Sequence, residues 1–325
     1  MLVDSCLDGD GRPAALAYLE RIGCEPSCVE LIVCTHWHDD HIGGLGEIVA
    51  TCEHADFAYS GAIRNEEFSA LVGAYSERTK IKRNGVSEFA FIVNHLRENA
   101  GRTPKFAIEN RTLISRATGE PPVIVDALSP CDKAIERSQL ALAELLPRVN
   151  TQKRAVPPPR QNHASVALSV AIGDARLLLG ADLEETVDEA SGWTAVLDNY
   201  EFTAPCAVFK VPHHGSENGD QPRIWDEVLM ENPWAIVAPF VWGRHELPKE
   251  SDRDRIRSHT NHAYLTAPPE RKHRKRERAV EKTLEQFKAV PVNVDPPMGQ
   301  IRLRSPIEKT NGWTVELFGP AFQLE

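Results

Sequence analysis

The sequence predicts an α/β fold from three stretches built alike. Leu31-Ile32-Val33-Cys34 runs into Thr35-His36-Trp37-His38-Asp39-Asp40-His41 and then Gly43-Gly44. A strand at 175–179 ends in Gly180-Ala181-Asp182, and Ala207-Val208-Phe209-Lys210-Val211 ends in Pro212-His213-His214-Gly215-Ser216. Short apolar runs bounded by turn residues read as buried strands, and the segments between them carry helical spacing, so strands and helices alternate. Each strand delivers metal-ligating residue types onto the loop at its C-terminal end.

The first cluster is the most specific. Imidazole suits zinc, manganese and iron alike, and a carboxylate adds a hard oxygen. His36, His38, Asp40 and His41 are four potential ligands within six positions, enough for two adjacent divalent cations. The paired glycines let the backbone turn tightly before a helix begins near Leu45. A His-rich surface loop is the competing reading, and the position directly after an apolar strand disfavours it. A divalent ion here lowers the pKa of its water toward neutrality and polarises the oxygen under attack.

Composition narrows the class. With 325 residues, 42% hydrophobic and 26% charged, the chain is an ordinary globular sequence long enough for a substantial core. No window approaches the ~18 apolar residues of a membrane span, and no basic-then-apolar signal opens the chain. No membrane association and a cytoplasmic location are the expectations. The seven cysteines are odd in number and form no C-x-x-C pair, which suits reduced thiols. A net charge of −10 argues against indiscriminate coating of nucleic acid but leaves room for a local basic groove.

In chain order, Leu2-Val3-Asp4 reads as a strand and 13–22 as a helix with Pro13 in its first turn and Gly23 as its stop. A helix is expected at 45–52 and a strand at 57–60. Residues 62–104 read as mainly helical, an insertion beside the site mouth in which His95 packs. Strands follow at 106–108, 112–114 and 123–128, with a helix at 133–146. The Pro-rich segment 150–162 is a loop and not a domain boundary. Residues 1–325 therefore read as one domain, with an insertion over 62–122 and a basic segment at 270–290. A hairpin at 165–172 and 175–179 turns on Gly173-Asp174. Asp182 either caps a helix starting at Glu184-Glu185 or bridges two ions, and the first cluster favours the bridge. Late strands are expected at 292–294 and 301–303.

Two adjacent histidines point different ways, so one can bind metal while the other orients substrate or moves a proton. The reading assigns His213 to metal and His214 to catalysis, while the sequence alone leaves these roles interchangeable.

These motifs resemble the metallo-β-lactamase superfamily of hydrolases. The resemblance implies a four-layer αββα sandwich, two divalent ions (Zn2+ or Mn2+), His36 and His38 on one, Asp40 and His41 on the other, Asp182 bridging, and a bridging hydroxide as nucleophile. The Lys-Val-Pro-His-His-Gly-Ser run at 210–216 is similar to the branch typified by the ComEC DNA-uptake channel, over roughly 2–60 and 123–305 as placed by motif. It implies an active-site role for His245, here in Trp242-Gly243-Arg244-His245-Glu246-Leu247-Pro248 with two residues inserted. His163, in Asn162-His163-Ala164-Ser165, either restores a ligand of the first metal or sits behind it. In the family two or more strands precede the segment that Leu2-Val3-Asp4 matches. Their absence here implies either that the start is placed late or that the first sheet is short by a hairpin, its edge then expected to be covered by a protein partner or a second copy of the chain.

The expected activity is metal-dependent phosphodiester hydrolysis, most of all of a nucleic acid. Asp40, His214 and His245 are the catalytic candidates. Lys210, Ser216 and the basic run with Arg271, Lys272, Arg274 and Lys275 are the substrate-binding ones, although a solvated face is the commoner explanation of such a run. A small-molecule ester or lactone is the alternative substrate, and a partner-activated subunit the alternative class.

Overall fold

A computed structural model describes residues 1–63, 85–99, 102–118, 121–145, 161–242, 245–269, 299–306 and 312–325, with Thr283 and Gln286. The small sheet is wholly parallel and runs β1 (Leu2–Val3), β2 (Leu31–Cys34), β3 (Asp56–Ser60), β4 (Lys105–Ala107). The large sheet starts as an antiparallel meander of β5 (Arg111–Arg116), β6 (Val123–Ala127), β7 (Leu168–Ile172) and β8 (Ala175–Leu179). It continues in parallel through β9 (Cys206–Lys210) and β10 (Leu229–Val237). A hairpin of β11 (Phe240–Trp242) and β12 (His245–Leu247) follows, and the chain returns as β13 (Ala263–Leu265). A second hairpin, β14 (Gln300–Arg304) with β15 (Thr314–Phe318), precedes β16 (Phe322–Gln323), which closes the large sheet.

Seven α-helices are described: α1 (Ala14–Arg21), α2 (Asp39–Ile42), α3 (Leu45–Thr51), α4 (Gly85–Glu98), α5 (Asp132–Leu145), α6 (Gly192–Asn199) and α7 (Glu250–His259). Three buried cores explain the layering. Ile32, Cys34 and Phe57 face Leu19, Leu45, Ile48, Phe89 and Ile92 on one side of the small sheet. The alternate residues Leu31, Val33 and Ala58 face Val125, Leu168 and Val170 between the sheets. Leu178, Phe209 and Ala235 meet Trp193, Val196 and Ile256 outside the large sheet. Helices, sheet, sheet and helices are thus stacked, the mixed α/β layering expected. Both faces of β2 are covered, which is why it reads as an unbroken apolar run.

Differences from expectation are local. The chain from Glu184 to Ser191 is loop, and the helix begins only at Gly192. Glu185 serves that helix from a distance: its carboxylate accepts from Thr194 N at 2.9 Å and Thr194 Oγ1 at 3.0 Å. Strand β1 is the outer strand of the small sheet. The β14–β15 hairpin fastens onto α1, with Arg302 4.8 Å from the Phe318 ring and 5.5 Å from the Tyr18 ring. The helices expected over 64–84, most of the expected Pro-rich loop, the strand expected at 292–294 and the basic run fall outside the described residues. Among the described residues no helix is long and apolar enough to cross a membrane.

Candidate metal centre

Parallel pairing of β8 with β9 sets Leu179 level with Lys210, so the two loops that follow turn side by side. His213 N donates to Ala181 O at 2.9 Å across them. On the facing sheet β2 ends at Cys34, and Val166 N donates to Thr35 O at 3.1 Å, tying the sheets together at the same edge. Topology thereby brings the first and second ligand clusters and half of the third to one place.

Within it, nitrogen and oxygen atoms converge. His36 Nε2 lies 3.0 Å from His38 Nδ1 and 3.9 Å from Asp182 Oδ2. His41 Nε2 lies 3.2 Å from Asp182 Oδ1 and 3.6 Å from Asp40 Oδ2. His214 Nε2 lies 3.2 Å from Asp40 Oδ2 and 3.3 Å from Asp182 Oδ2. Of three sets of atoms close enough to share an ion, one is Asp4 with His36 and His41, and the other two are His36, His38 and Asp182, and Asp40, His41, Asp182 and His214. Asp182 belongs to both of the latter.

Hydrogen bonds behind the cluster orient the rings. Asp4 Oδ2 accepts from Thr35 Oγ1 at 2.7 Å, so the hydroxyl is free to accept from His36 Nδ1 at 3.0 Å. Asp4 Oδ2 also lies 2.7 Å from His41 Nδ1, and Ala238 O lies 3.0 Å from His214 Nδ1. With Nδ1 donating in all three, each Nε2 points inward and, once deprotonated, offers the lone pair a metal ligand needs. Asp182 is held by Ser165 Oγ, which accepts from its N at 3.2 Å. Trp193 Nε1 donates to the neighbouring Leu183 O at 2.9 Å.

The donor set passes a direct test of fit. His41 Nε2 and Asp182 Oδ1 are buried without a hydrogen-bond partner. Orphaned buried polar atoms are costly, and a lone pair facing a carboxylate is satisfied by a cation between them. Proton affinities follow the same crowding. Burial, with His41 alongside, holds the His36 imidazole well below its usual range. Burial works against a proton on His41, but Asp182 and Asp4 outweigh it and raise its affinity well above the ordinary value. Burial pushes the Asp40 carboxyl up, but the His214 hydrogen bond and the charge of His41 bring it down to about 2. These groups are suited to holding metal ions.

Other expected residues fall elsewhere. His213 and His163 do not reach the cluster, because Glu184 stands between them: its Oε1 is 3.3 Å from His213 Nδ1 and its Oε2 3.2 Å from His163 Nε2. Asn162 Nδ2 donates to Glu184 Oε1 at 2.9 Å and lies 3.1 Å from His213 Nε2, while His213 Nδ1 has only the ion-pair approach of Glu184 and no hydrogen bond. Position 214, expected to be catalytic, is the one that turns inward. His245 is exposed at the turn end of the β11–β12 hairpin, opposite Trp242, and is not brought to the cluster. Lys210 Nζ donates to Val211 O at 3.3 Å; burial lowers its proton affinity, opposed by Asp182, Asp4 and Asp40. Ser216 Oγ accepts from Asn218 N at 3.4 Å and caps a short turn. Arg271, Lys272, Arg274 and Lys275 lie outside the described residues.

Two carboxylates were not singled out from the sequence. Asp4 had a signal, an acid directly after the apolar Leu2-Val3. Glu184 had none, since an acidic pair after a strand reads as a helix start.

Residues 1–101 match the family model described as metallo-beta-lactamase superfamily. No curated protein matches. Similar solved structures include the Rm3 metallo-beta-lactamase (14% identity, 66% of this chain and 68% of that one, TM-score 0.32). Others are MIM-1 from Novosphingobium pentaromativorans (13%, 65% and 65%, 0.32) and MEM-A1, a subclass B3 metallo-beta-lactamase from a soil metagenome library (13%, 68% and 73%, 0.32).

Proposed function

We propose that the chain is a hydrolase of the metallo-beta-lactamase superfamily that cleaves phosphodiesters, nucleic acid foremost, with two divalent cations, zinc or manganese. The observation that carries this reading is the sharing of Asp182: one buried carboxylate serves two ligand groups, His36 with His38 and His41 with Asp40 and His214. When bound, such a cation pair polarises the substrate oxygens and lowers the pKa of water toward neutrality. The chain does the rest. Asp4, through Thr35 and directly, holds His36 and His41 in the tautomers that face inward. Asp40 is 32% exposed where Asp182 is 4%, so it faces the mouth, placed to accept a hydrogen bond from the attacking water and orient it. Its depressed pKa keeps it ionised at neutral pH.

The choice of phosphodiester draws on the paired-cation arrangement, which suits in-line displacement at phosphorus, and on the basic run at 271–278 in the sequence. The net charge of −10 favours a second reading, a small ester or lactone, since it repels a polymeric anion. Metal analysis of the purified chain, coupled to turnover of plasmid, linear and single-stranded DNA, RNA, bis-p-nitrophenyl phosphate and a lactone, tests both. Two ions per chain with polymer cleavage is the expected result. Turnover of a small substrate alone replaces the nuclease reading with the second.

A further inference from the structure

Between β9 and β10 the chain holds an improbable backbone. His213, His214 and Gly215 sit at φ 45°, 55° and 79°, three left-handed residues in succession, two of them carrying a Cβ. Left-handed backbone is unfavourable for such residues and persists only where surrounding contacts over-determine it. The turn decides which histidine reaches the cluster, so what holds it matters to the metal centre.

We propose that Arg255 on α7 is a positioning residue for His214, holding the turn that aims His214 at Asp40 and Asp182. The inference rests on the reading of His214 as a metal ligand. Arg255 Nη2 donates to Gly215 O at 2.7 Å, the residue directly after His214. Its Nη1 donates to Asp252 Oδ1 at 2.8 Å, and its Nε lies 3.2 Å from Asp220 Oδ2. Asp252 is itself buried at 3% exposure and accepts from Lys249 N at 2.9 Å. Nη1 and Nη2 both donate, while Nε makes no hydrogen bond and lies only within ion-pair reach of Asp220, so the planar fork is tied at two points beside Gly215. The next residue presses on the same spot: a Cβ at Gly215 would lie 3.2 Å from Ile256 Cδ1 and 3.3 Å from Pro248 Cβ. On the far side His214 is held by Ala238 O and stacks on Phe240 with centroids 5.0 Å apart.

A lysine cannot reproduce this grip. Its ammonium can neutralise Asp252 but cannot reach Asp252, Asp220 and Gly215 together in one plane. The test is therefore Arg255→Gln and Arg255→Lys in the full chain, each titrated with Zn2+ alone and with Mn2+ alone against a competing chelator, with circular dichroism and thermal melting alongside. Expected is one ion bound as in the parent and the second weakened by about tenfold or more, the range seen when support behind a ligand is lost, with lysine between glutamine and parent. A folded Arg255→Gln that binds both ions with parental affinity, whatever its melting temperature, overturns the proposal. If Arg255→Gln does not fold, Arg255→Lys decides by the same readout. A parent chain that takes up neither ion overturns the metal-centre reading beneath it, an outcome visible before any variant is made.

Discussion

The two histidine turns that close the site aim their side chains by different means. After β2 the backbone is ordinary: His38 is extended at φ −66° and ψ 147°, and α2 then carries Asp40 and His41. A helical start sets the direction of both within a few residues, and His41 N bonds back to His38 O at 3.0 Å. After β9 the two histidines are left-handed, and the contacts that hold them come from 24 residues downstream at Ala238 and 40 at Arg255. The first turn carries its backbone geometry in its own sequence, with Asp4 orienting its rings from β1's end, and the second borrows its backbone from the large sheet and α7. Variants in the first should fail by losing a ligand, and variants around the second by losing its aim.

The largest effect is expected where both turns meet. Asp182→Ala removes the carboxylate common to both ligand groups, so metal analysis should show neither ion retained. Turnover should drop roughly 10³-fold, about 4 kcal/mol at 1.36 kcal/mol per decade. Loss of thermal stability alone, with both ions kept, would show that the two turns do not share a ligand.

Next comes the contrast within the second turn. His214→Ala should lower affinity for one ion, whereas His213→Ala should keep both ions and cost about 1 to 3 kcal/mol of stability, because Glu184 and Asn162 lose a partner. Chelator competition and chemical denaturation separate the two. The opposite pattern would return the ligand role to His213.

For the first turn, Asp4→Asn should weaken binding about 10- to 100-fold by freeing the His41 and Thr35 orientation. Parental affinity in this variant would mean that α2 alone aims the ring.

The same charges give chelated protein a pH signature. His41 is raised above its unfolded value of about 6.5, so its stabilisation is full below that pH and fades as pH rises through the folded value. Asp40, lowered to about 2, stabilises above about 4 and loses this as pH falls toward 2. The raised His41 and His214 make metal-free protein lose stability as pH rises above about 6.5, and the lowered His36 and His38 make it lose stability as pH falls below about 6.5. Saturating Zn2+ should remove the decline on the alkaline side. A melting profile flat from pH 5 to 8 without metal would contradict the charge arrangement at the first turn.

The smallest effect concerns Ser216. As a cap it contributes about 0.5 to 1 kcal/mol, and Ser216→Ala should leave metal content and turnover unchanged. A selective rise in KM would restore it as a substrate contact.

The unbroken apolar run of β2 and the hairpin of β7 and β8 were legible because short apolar stretches bounded by turn residues mark buried strands. The ligand groups His36, His38, Asp40 and His41 were legible because their spacing lies within one turn of chain. The loop from Glu184 to Ser191 misled, since an acid pair that serves α6 through Thr194 looks the same as one that begins a helix.

The sequence by itself determined the residue types suited to holding cations, their place at strand ends, and the layering that buries β2 on both faces, because these depend on neighbours one to four positions apart. Only the tertiary structure decided that His214 turns inward while His213 and His163 meet Glu184, and that Asp4 stands behind His36 and His41. Left-handed backbone at a histidine is locally unfavourable, so no local pattern announces it. It exists because sheet, helix and guanidinium contacts from distant parts of the chain together outweigh its cost.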